Sequence, residues 1–194
     1  MGTVVHLRPA HAPPTDAELV ERAVAGEARA KELLYRRHAP MVFGLAHRVL
    51  GRPQEVDDLV QDAFEGAFSR LGRLRDGQDF ASWISTIVVR TARTRIRRKR
   101  LTRKLGLDAR EPLEPERLVS AHAAPDVRAE LHALYRLIEQ LPANVRMALI
   151  LRRVEGLTIA EIGEHLGLSP ATVKRHIKAG EVLLEGQLNR GGDS

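Results

Sequence analysis

The chain has 194 residues, 31 basic and 25 acidic, and contains no cysteine. That length suits one large domain or two small ones. The missing cysteine excludes disulfide scaffolds, cysteine-ligated zinc and thiol chemistry. No apolar run approaches the roughly 18–20 residues of a membrane helix. The opening MGTVVHLRPAHAPP lacks the charged-then-apolar pattern of a signal peptide, so a cytoplasmic protein is expected. The net charge of +6 is unevenly placed: Met1–Ser85 carries −1, Gly106–Ser194 carries −2, and the twenty residues Thr86–Leu105 hold nine bases and no acid. Such a block suits nucleic acid or an anionic membrane surface; a solvated helix end is the plainer alternative.

In chain order, the first fourteen residues contain three prolines and no periodicity, and read as a disordered arm. Thr15 with Glu18 forms a capping box for a helix whose apolar face (Leu19, Val20, Ala23, Val24, Leu33, Leu34) runs towards Arg37. A second helix is expected over Met41–Leu50, ended by Gly51. Pro53 takes a first-turn position ahead of EVDDLVQDAFEGAFSRL. There Val56, Leu59, Val60, Ala63, Phe64, Ala67, Phe68 and Leu71 make a continuous helical stripe. The opposite side collects Glu55, Asp58, Asp62 and Glu65, joined by Asp57, with no base between Glu55 and Gly66.

The loop GRLRDGQD (Gly72–Asp79) leads to a fourth helix with Phe80, Trp83, Ile84, Ile87 and Val88 on its apolar face, and the basic block continues that helix outward. The place of Trp83 in that group favours core packing over a stacking platform. Arg90, Arg93 and Arg97 share a side; Arg98, Arg100 and Arg103 extend the charge around it. A stripe of this kind tracks phosphates with steep salt dependence. An acidic face beside it would also neutralise part of it within the free chain. Gly106–Pro125 has three prolines, four acids and two bases, and reads as a linker. Asp126 then caps a helix with Leu131, Leu134, Tyr135 and Ile138; another starts with Val145, Ala148, Leu149 and Leu151 and stops at Gly156.

TIAEIGEHLGLSPATVKRHI (158–177) has the marks of a DNA-reading helix-turn-helix. Thr158 and Glu161 form a second capping box, Gly163 is small where the helices would cross, Gly167 suits the turn, and Ser169-Pro170 starts the second helix. Ile162, Leu166, Leu168, Val173 and Ile177 would lock the pair, leaving Ser169, Pro170, Ala171, Thr172, Lys174, Arg175 and Lys178 towards DNA. His176 faces either a phosphate or solvent. The expected organisation is all-α: an arm (1–14), a helical domain (15–105), a flexible linker (106–125), a domain ending in the helix-turn-helix (126–188) and a tail (189–194).

EVDDLVQDAFEGAF, FASWISTIVVRTARTRIRRKR and LPANVRMALILRRVEGLTIAEIGEHLGLSPATVK, in this order, resemble the bacterial RNA polymerase sigma factors of the extracytoplasmic-function type over roughly Glu18–Leu188. The resemblance implies that Glu55, Asp57, Asp58, Asp62 and Glu65 grip the clamp helices of core polymerase. It implies that the −10 promoter element is opened and held by the fourth helix and its preceding loop. The residues concerned are Arg73, Arg75, Gln78, Asp79, Arg90, Arg93, Thr94, Arg97, Arg98 and Arg100. The last domain would read the −35 element and rest on the polymerase flap, and an anti-sigma factor would occlude these faces and could hold the chain at the membrane.

Two departures from the family stand out. Arg90 and Thr94 replace a common Asn and Asp, and KAGEVLL (178–184) replaces an arginine-rich helix tail, so weaker −35 phosphate contact is expected from Ala179, Gly180 and Glu181. VKRHI also resembles the LuxR-type helix-turn-helix, which leaves a regulator binding duplex DNA on its own as the alternative. No two of the eight histidines are three or four apart, and HExxH, GxxxxGK[ST] and GxGxxG are missing, so neither metal, cofactor nor catalysis is expected.

Overall fold

The computed structural model describes residues 13–105, 133–134 and 136–191, and among these the regular structure is entirely helical. The expected arm up to residue 12, the linker 106–125 and the helix start at Asp126 lie outside the described residues, as do Leu131 and Tyr135. Four helices form the first half: α1 (Asp16–Val24), α2 (Ala28–Leu50), α3 (Val56–Phe68) and α4 (Phe80–Lys104). Three more are delimited in the second: α5 (Ala143–Arg153), α6 (Ile159–Leu166) and α7 (Pro170–Gly191).

The capping box at Thr15 is formed: the Glu18 N–H donates to Thr15 Oγ1 at 3.3 Å, and the Thr15 N–H donates to Glu18 Oε2 at 2.7 Å. The first helix is shorter than expected. Gly26 takes φ 96°, a left-handed conformation, and turns the chain into α2, which then runs unbroken through Pro40. The expected division near residues 38–40 is therefore corrected. Proline in a helix removes one backbone bond. Here both sides of Pro40 bury one continuous stripe, Leu34, His38, Val42 and Leu45. Asp16 fastens α1 to the middle of α2, accepting from Arg37 at 2.5 Å and lying 2.8 Å from His38 Nε2. Gly51 (φ 60°) ends α2 as expected. Pro53–Glu55 forms a 3₁₀ turn before α3, and the apolar stripe of α3 is buried through Val56, Leu59, Val60, Ala63, Phe64 and Ala67.

Between α3 and α4 the chain makes two 3₁₀ turns, Leu71–Arg73 and Gly77–Asp79. Gly77 lies hard against α1: a Cβ there would stand 2.5 Å from Ala17 Cα. Phe80, Ile84, Val88, Val89 and Ala92 bury one side of α4, and Trp83 packs beside Phe80 with ring centroids 6.2 Å apart. At about 1.5 Å per residue, the 25 residues of α4 span roughly 37 Å.

In the second half, Thr158 and Glu161 form the expected capping box, and Gly167 (φ 64°) ends α6. Gly163 is required at the helix crossing, because a Cβ would meet the Leu168 carbonyl oxygen at 2.8 Å. Gly180 plays the matching part where α7 crosses α5, with Val145 and Leu149 as its neighbours. The two halves also pack on each other, α4 against α5 and α6, and α2 against α5. Gly163→Ala is expected to destabilise the second half by about 1–3 kcal/mol through overpacking against backbone, read as a lower urea midpoint; an unchanged midpoint would contradict the crossing geometry.

Candidate nucleic-acid interface

Because α3 turns its apolar stripe inwards, its carboxylates stand on the opposite side: Asp57, Asp58, Asp62 and Glu65 are exposed and Glu55 is half-buried. Gln61 donates to Glu65 at 2.9 Å. Two of the acids are engaged by α4, with Asp62 accepting from Arg95 and Glu55 from Lys99. Arg95 also donates to the Asp58 carbonyl at 3.1 Å. Neutralisation of the basic helix by the acidic one thus takes place through Arg95 and Lys99, two cations absent from the sequence-predicted site.

In the loop before α4, Arg73, Arg75, Gln78 and Asp79 are all exposed. Sequence reasoning passed over the residue that shapes this loop. The Asp76 carboxylate accepts the Gln78 N–H at 2.9 Å, an Asx turn for which the Asp-Gly dipeptide was the available signal.

The charges of α4 divide between two neighbours. Arg95, Arg98 and Lys99 line a groove against α3, together with Thr94, whose hydroxyl donates to the Arg90 carbonyl at 3.0 Å. Arg97 and Arg100 line another groove with Pro142, Asn144 and His176 of the second half. Arg90 and Arg93 are committed to α6. Arg90 donates to the carbonyls of His165 (3.1 Å) and Glu164 (3.0 Å), and Arg93 to that of Leu166 (2.6 Å). Burial, reinforced by Arg97 and Arg90, lowers the pKa of the Arg93 guanidinium below its ordinary value; it remains charged at neutral pH. Further contacts among the described residues join the halves, including Arg52 to Glu139 (2.7 Å), Arg48 to Glu155 (2.9 Å) and Arg146 to the Leu50 carbonyl.

On the helix-turn-helix, Pro170, Ala171, Lys174, Arg175 and Lys178 are exposed, while Val173 and Ile177 are buried beneath them. Ser169 Oγ accepts the Thr172 N–H at 3.3 Å and lies 2.9 Å from the Thr172 hydroxyl, so both residues shape the start of α7. His176 points to neither a phosphate face nor open solvent. It is half-buried in the groove with Arg97 and Arg100, and burial, aided by Arg175, lowers its imidazolium pKa. The departure at residues 179–181 has a packing reason: Gly180 is buried at the crossing with α5, and Glu181 pairs with Arg153. Among the described residues no group of three or more histidines and acids is placed to hold a metal ion, and no helix is long and apolar enough to cross a membrane.

Family comparisons match both halves in this order. Residues 34–102 match the Sigma-70 region 2 family and residues 131–184 the Sigma-70 region 4 family. The chain is 32% identical over 170 residues to RNA polymerase sigma-H factor of Pseudomonas aeruginosa, covering 84% of this chain and 88% of that protein. It is 32% identical over 173 residues to the ECF sigma-E factor of Escherichia coli (84% and 88%), and 30% over 183 residues to the ECF sigma factor SigM of Mycobacterium tuberculosis (91% and 88%). Its fold is shared with CnrH solved with the cytosolic domain of CnrY (TM-score 0.59, 24% identity, 90% and 97% covered). It is shared also with the sigma factor RpoE of Bartonella quintana solved with the anti-sigma factor NepR (TM-score 0.61, 20% identity, 81% and 96% covered). With both regions present in sequence and relatives at 30% identity or more spanning most of either chain, this protein belongs to the extracytoplasmic-function family of bacterial RNA polymerase sigma factors.

Proposed function

We propose that this sigma factor docks on the clamp helices of core RNA polymerase through Glu55, Asp57, Asp58, Asp62 and Glu65, and directs promoter recognition through two separate DNA surfaces. The single observation that carries this reading is the joint display of an exposed acidic face on α3, a cation-rich α4 and an exposed basic α7 in one chain. A LuxR-type regulator accounts for α7 alone. The match of residues 34–102 to region 2 favours the sigma factor.

The parts divide by physical task. Lys174, Arg175 and Lys178 supply charge-assisted donors to the −35 duplex, with the first two reaching base edges and the α7 start at Ser169–Thr172 meeting a phosphate. Arg73, Arg75, Gln78 and Asp79 flank the melted −10 strand, whose unstacked bases need a surrounding pocket. Arg90, Arg93, Thr94, Arg97, Arg98 and Arg100 follow its backbone. The proposed boundaries are 15–105 for the −10 and polymerase-binding domain and 126–188 for the −35 domain, which also rests on the flap. The linker 106–125, with its four acids and two bases, passes near the active-site channel. The chain performs no reaction of its own; it positions DNA for the polymerase. CnrH and RpoE were solved with CnrY and NepR, which supports an anti-sigma partner here; the chain would then act in the cytoplasm and meet the membrane only through that partner.

One step precedes −10 capture. Arg90 and Arg93 cannot serve DNA while they donate to α6, so the α4–α6 contact must open. In the free chain, Arg90→Ala with Arg93→Ala is expected to raise the radius of gyration seen by small-angle scattering; an unchanged radius would assign the closure to other contacts. With core polymerase, Asp57→Asn with Asp58→Asn is expected to weaken binding roughly threefold to tenfold, most of it lost as salt rises. Lys174→Ala with Arg175→Ala should cut transcription from duplex promoters about tenfold or more while leaving use of a pre-melted −10 template nearly intact. Equal loss on both templates would remove α7 from −35 reading.

A further inference from the structure

His38 is a buried polar side chain in the apolar stripe of α2, and neither the docking surface nor the DNA surfaces make use of it. A buried imidazole needs a hydrogen-bond partner, and α1 supplies one: His38 Nε2 lies 2.8 Å from Asp16 Oδ2. The other Asp16 oxygen accepts from Arg37 at 2.5 Å, and Arg37 also donates to the Pro14 carbonyl at 2.7 Å, which steadies the carboxylate. Tying α1 to α2 is the plain role of this group, but its reach is longer. The His38 ring packs on that of Phe80 with centroids 5.0 Å apart, and Phe80 is fully buried directly after Asp79. The next residue of α1, Ala17, seats Gly77, where a Cβ would stand 2.5 Å from Ala17 Cα and 3.3 Å from Val20 Cβ. Two consecutive residues of α1 thus lead to two fixed points on one loop, Asp16 through His38 to Phe80 and Ala17 to Gly77. Only Gln78 and Asp79 lie between these points, and both are exposed. The Gln78 N–H is held by the Asp76 carboxylate and the Phe80 N–H donates to the Gly77 carbonyl, so the backbone between the points has little freedom.

We propose that Asp16 and His38 are positioning residues for base selection at the −10 element: they fix Gln78 and Asp79 against the melted strand without touching it. This deepens the −10 role proposed for the loop and rests on it. Side-chain exposures of 14% for Asp16 and 10% for His38 keep the pair off the DNA surface, so their influence passes through the loop. Hydrogen bonds tell one unstacked base from another only when the recognising groups are held to within about 0.5 Å. Side chains on a loose loop adapt to several bases, whereas the same side chains on a pinned loop favour the base whose edge matches them. Release of the Phe80 point therefore lowers selectivity more than it lowers binding.

The test uses holoenzyme assembled from the full chain and sigma-free core polymerase. It is offered a pool of pre-melted promoter templates randomised across the single-stranded −10 segment. Captured DNA is sequenced, and preference at each position is the ratio of the most to the least enriched base. That ratio is internal to the bound fraction, so a smaller amount of active protein does not move it. Asp16→Ala and His38→Leu should each lower the highest ratio about fivefold to tenfold. The double variant should lose no more than the larger single change, because both act on one fixed point; additive losses would overturn that shared route. Val49→Ala, a core truncation about three turns along α2 from His38, should lower the urea midpoint and leave the ratio as it is. An equal loss in Val49→Ala would make selectivity follow stability and overturn the proposal, as would unchanged ratios in Asp16→Ala and His38→Leu. Should those two variants lose helicity by circular dichroism, Asp16→Asn keeps the size but turns one accepting oxygen into a donor, and an unchanged ratio there overturns the proposal equally. Gln78→Ala with Asp79→Ala separates the two levels. If that pair leaves every ratio unchanged, the loop does not read bases and its −10 role falls; if it lowers a ratio that the Asp16 and His38 variants leave alone, only the positioning falls.

Discussion

The last turn of α6 leaves carbonyls that its own helix cannot satisfy, and their donors come from the other half of the molecule. Leu168 takes the Gly163 carbonyl at 2.9 Å, whereas His165 and Leu166 receive Arg90 and Arg93, and Glu164 adds Arg90 to a long bond from Gly167. Positive charge at a helix C-terminus also meets the negative end of the macrodipole. The helix-turn-helix is thereby oriented by arginines that belong to α4, more than seventy residues away in sequence. Other contacts also join the halves, among them Arg52 with Glu139 and Arg48 with Glu155.

Helix α4 consequently serves three neighbours. Its apolar residues, from Phe80 to Ala92, hold the first bundle; Arg90 and Arg93 hold α6; Arg95 and Lys99 hold the acids of α3. A cluster of like charges on one helix would repel itself in isolation. Spread over acids on one side and helix-end carbonyls on another, it is tolerated because each set of partners offers opposite charge or the negative end of a helix dipole.

Local signals carried the sequence reading furthest. Both capping boxes, the turn at Gly167 and the small residue at Gly163 each depend on residues within a few positions, and each has its expected place. Pro40 misled because a boundary signal was overridden by tertiary burial on both sides of it, while Gly26, less conspicuous, made the actual turn. The link from Arg90 and Arg93 to α6 spans more than seventy residues and has no sequence pattern, since any exposed arginine can meet any uncapped carbonyl. For the same reason, Arg95 and Lys99 could not be distinguished by sequence from the cations beside them. His176 depended on which helix the second half would pack against.

The close approach of Gly77 to Ala17 gives α1 a part in shaping the loop before α4 that its position in the chain conceals. The region 2 match begins at residue 34, after α1 has ended. Yet the loop bearing Gln78 and Asp79 rests on that helix, and Asp16 clamps the same helix to α2. The N-terminal turn is therefore the back wall of the loop proposed to flank the −10 strand: a chain trimmed to the family boundary would retain Gln78 and Asp79 and lose the surface their loop rests on.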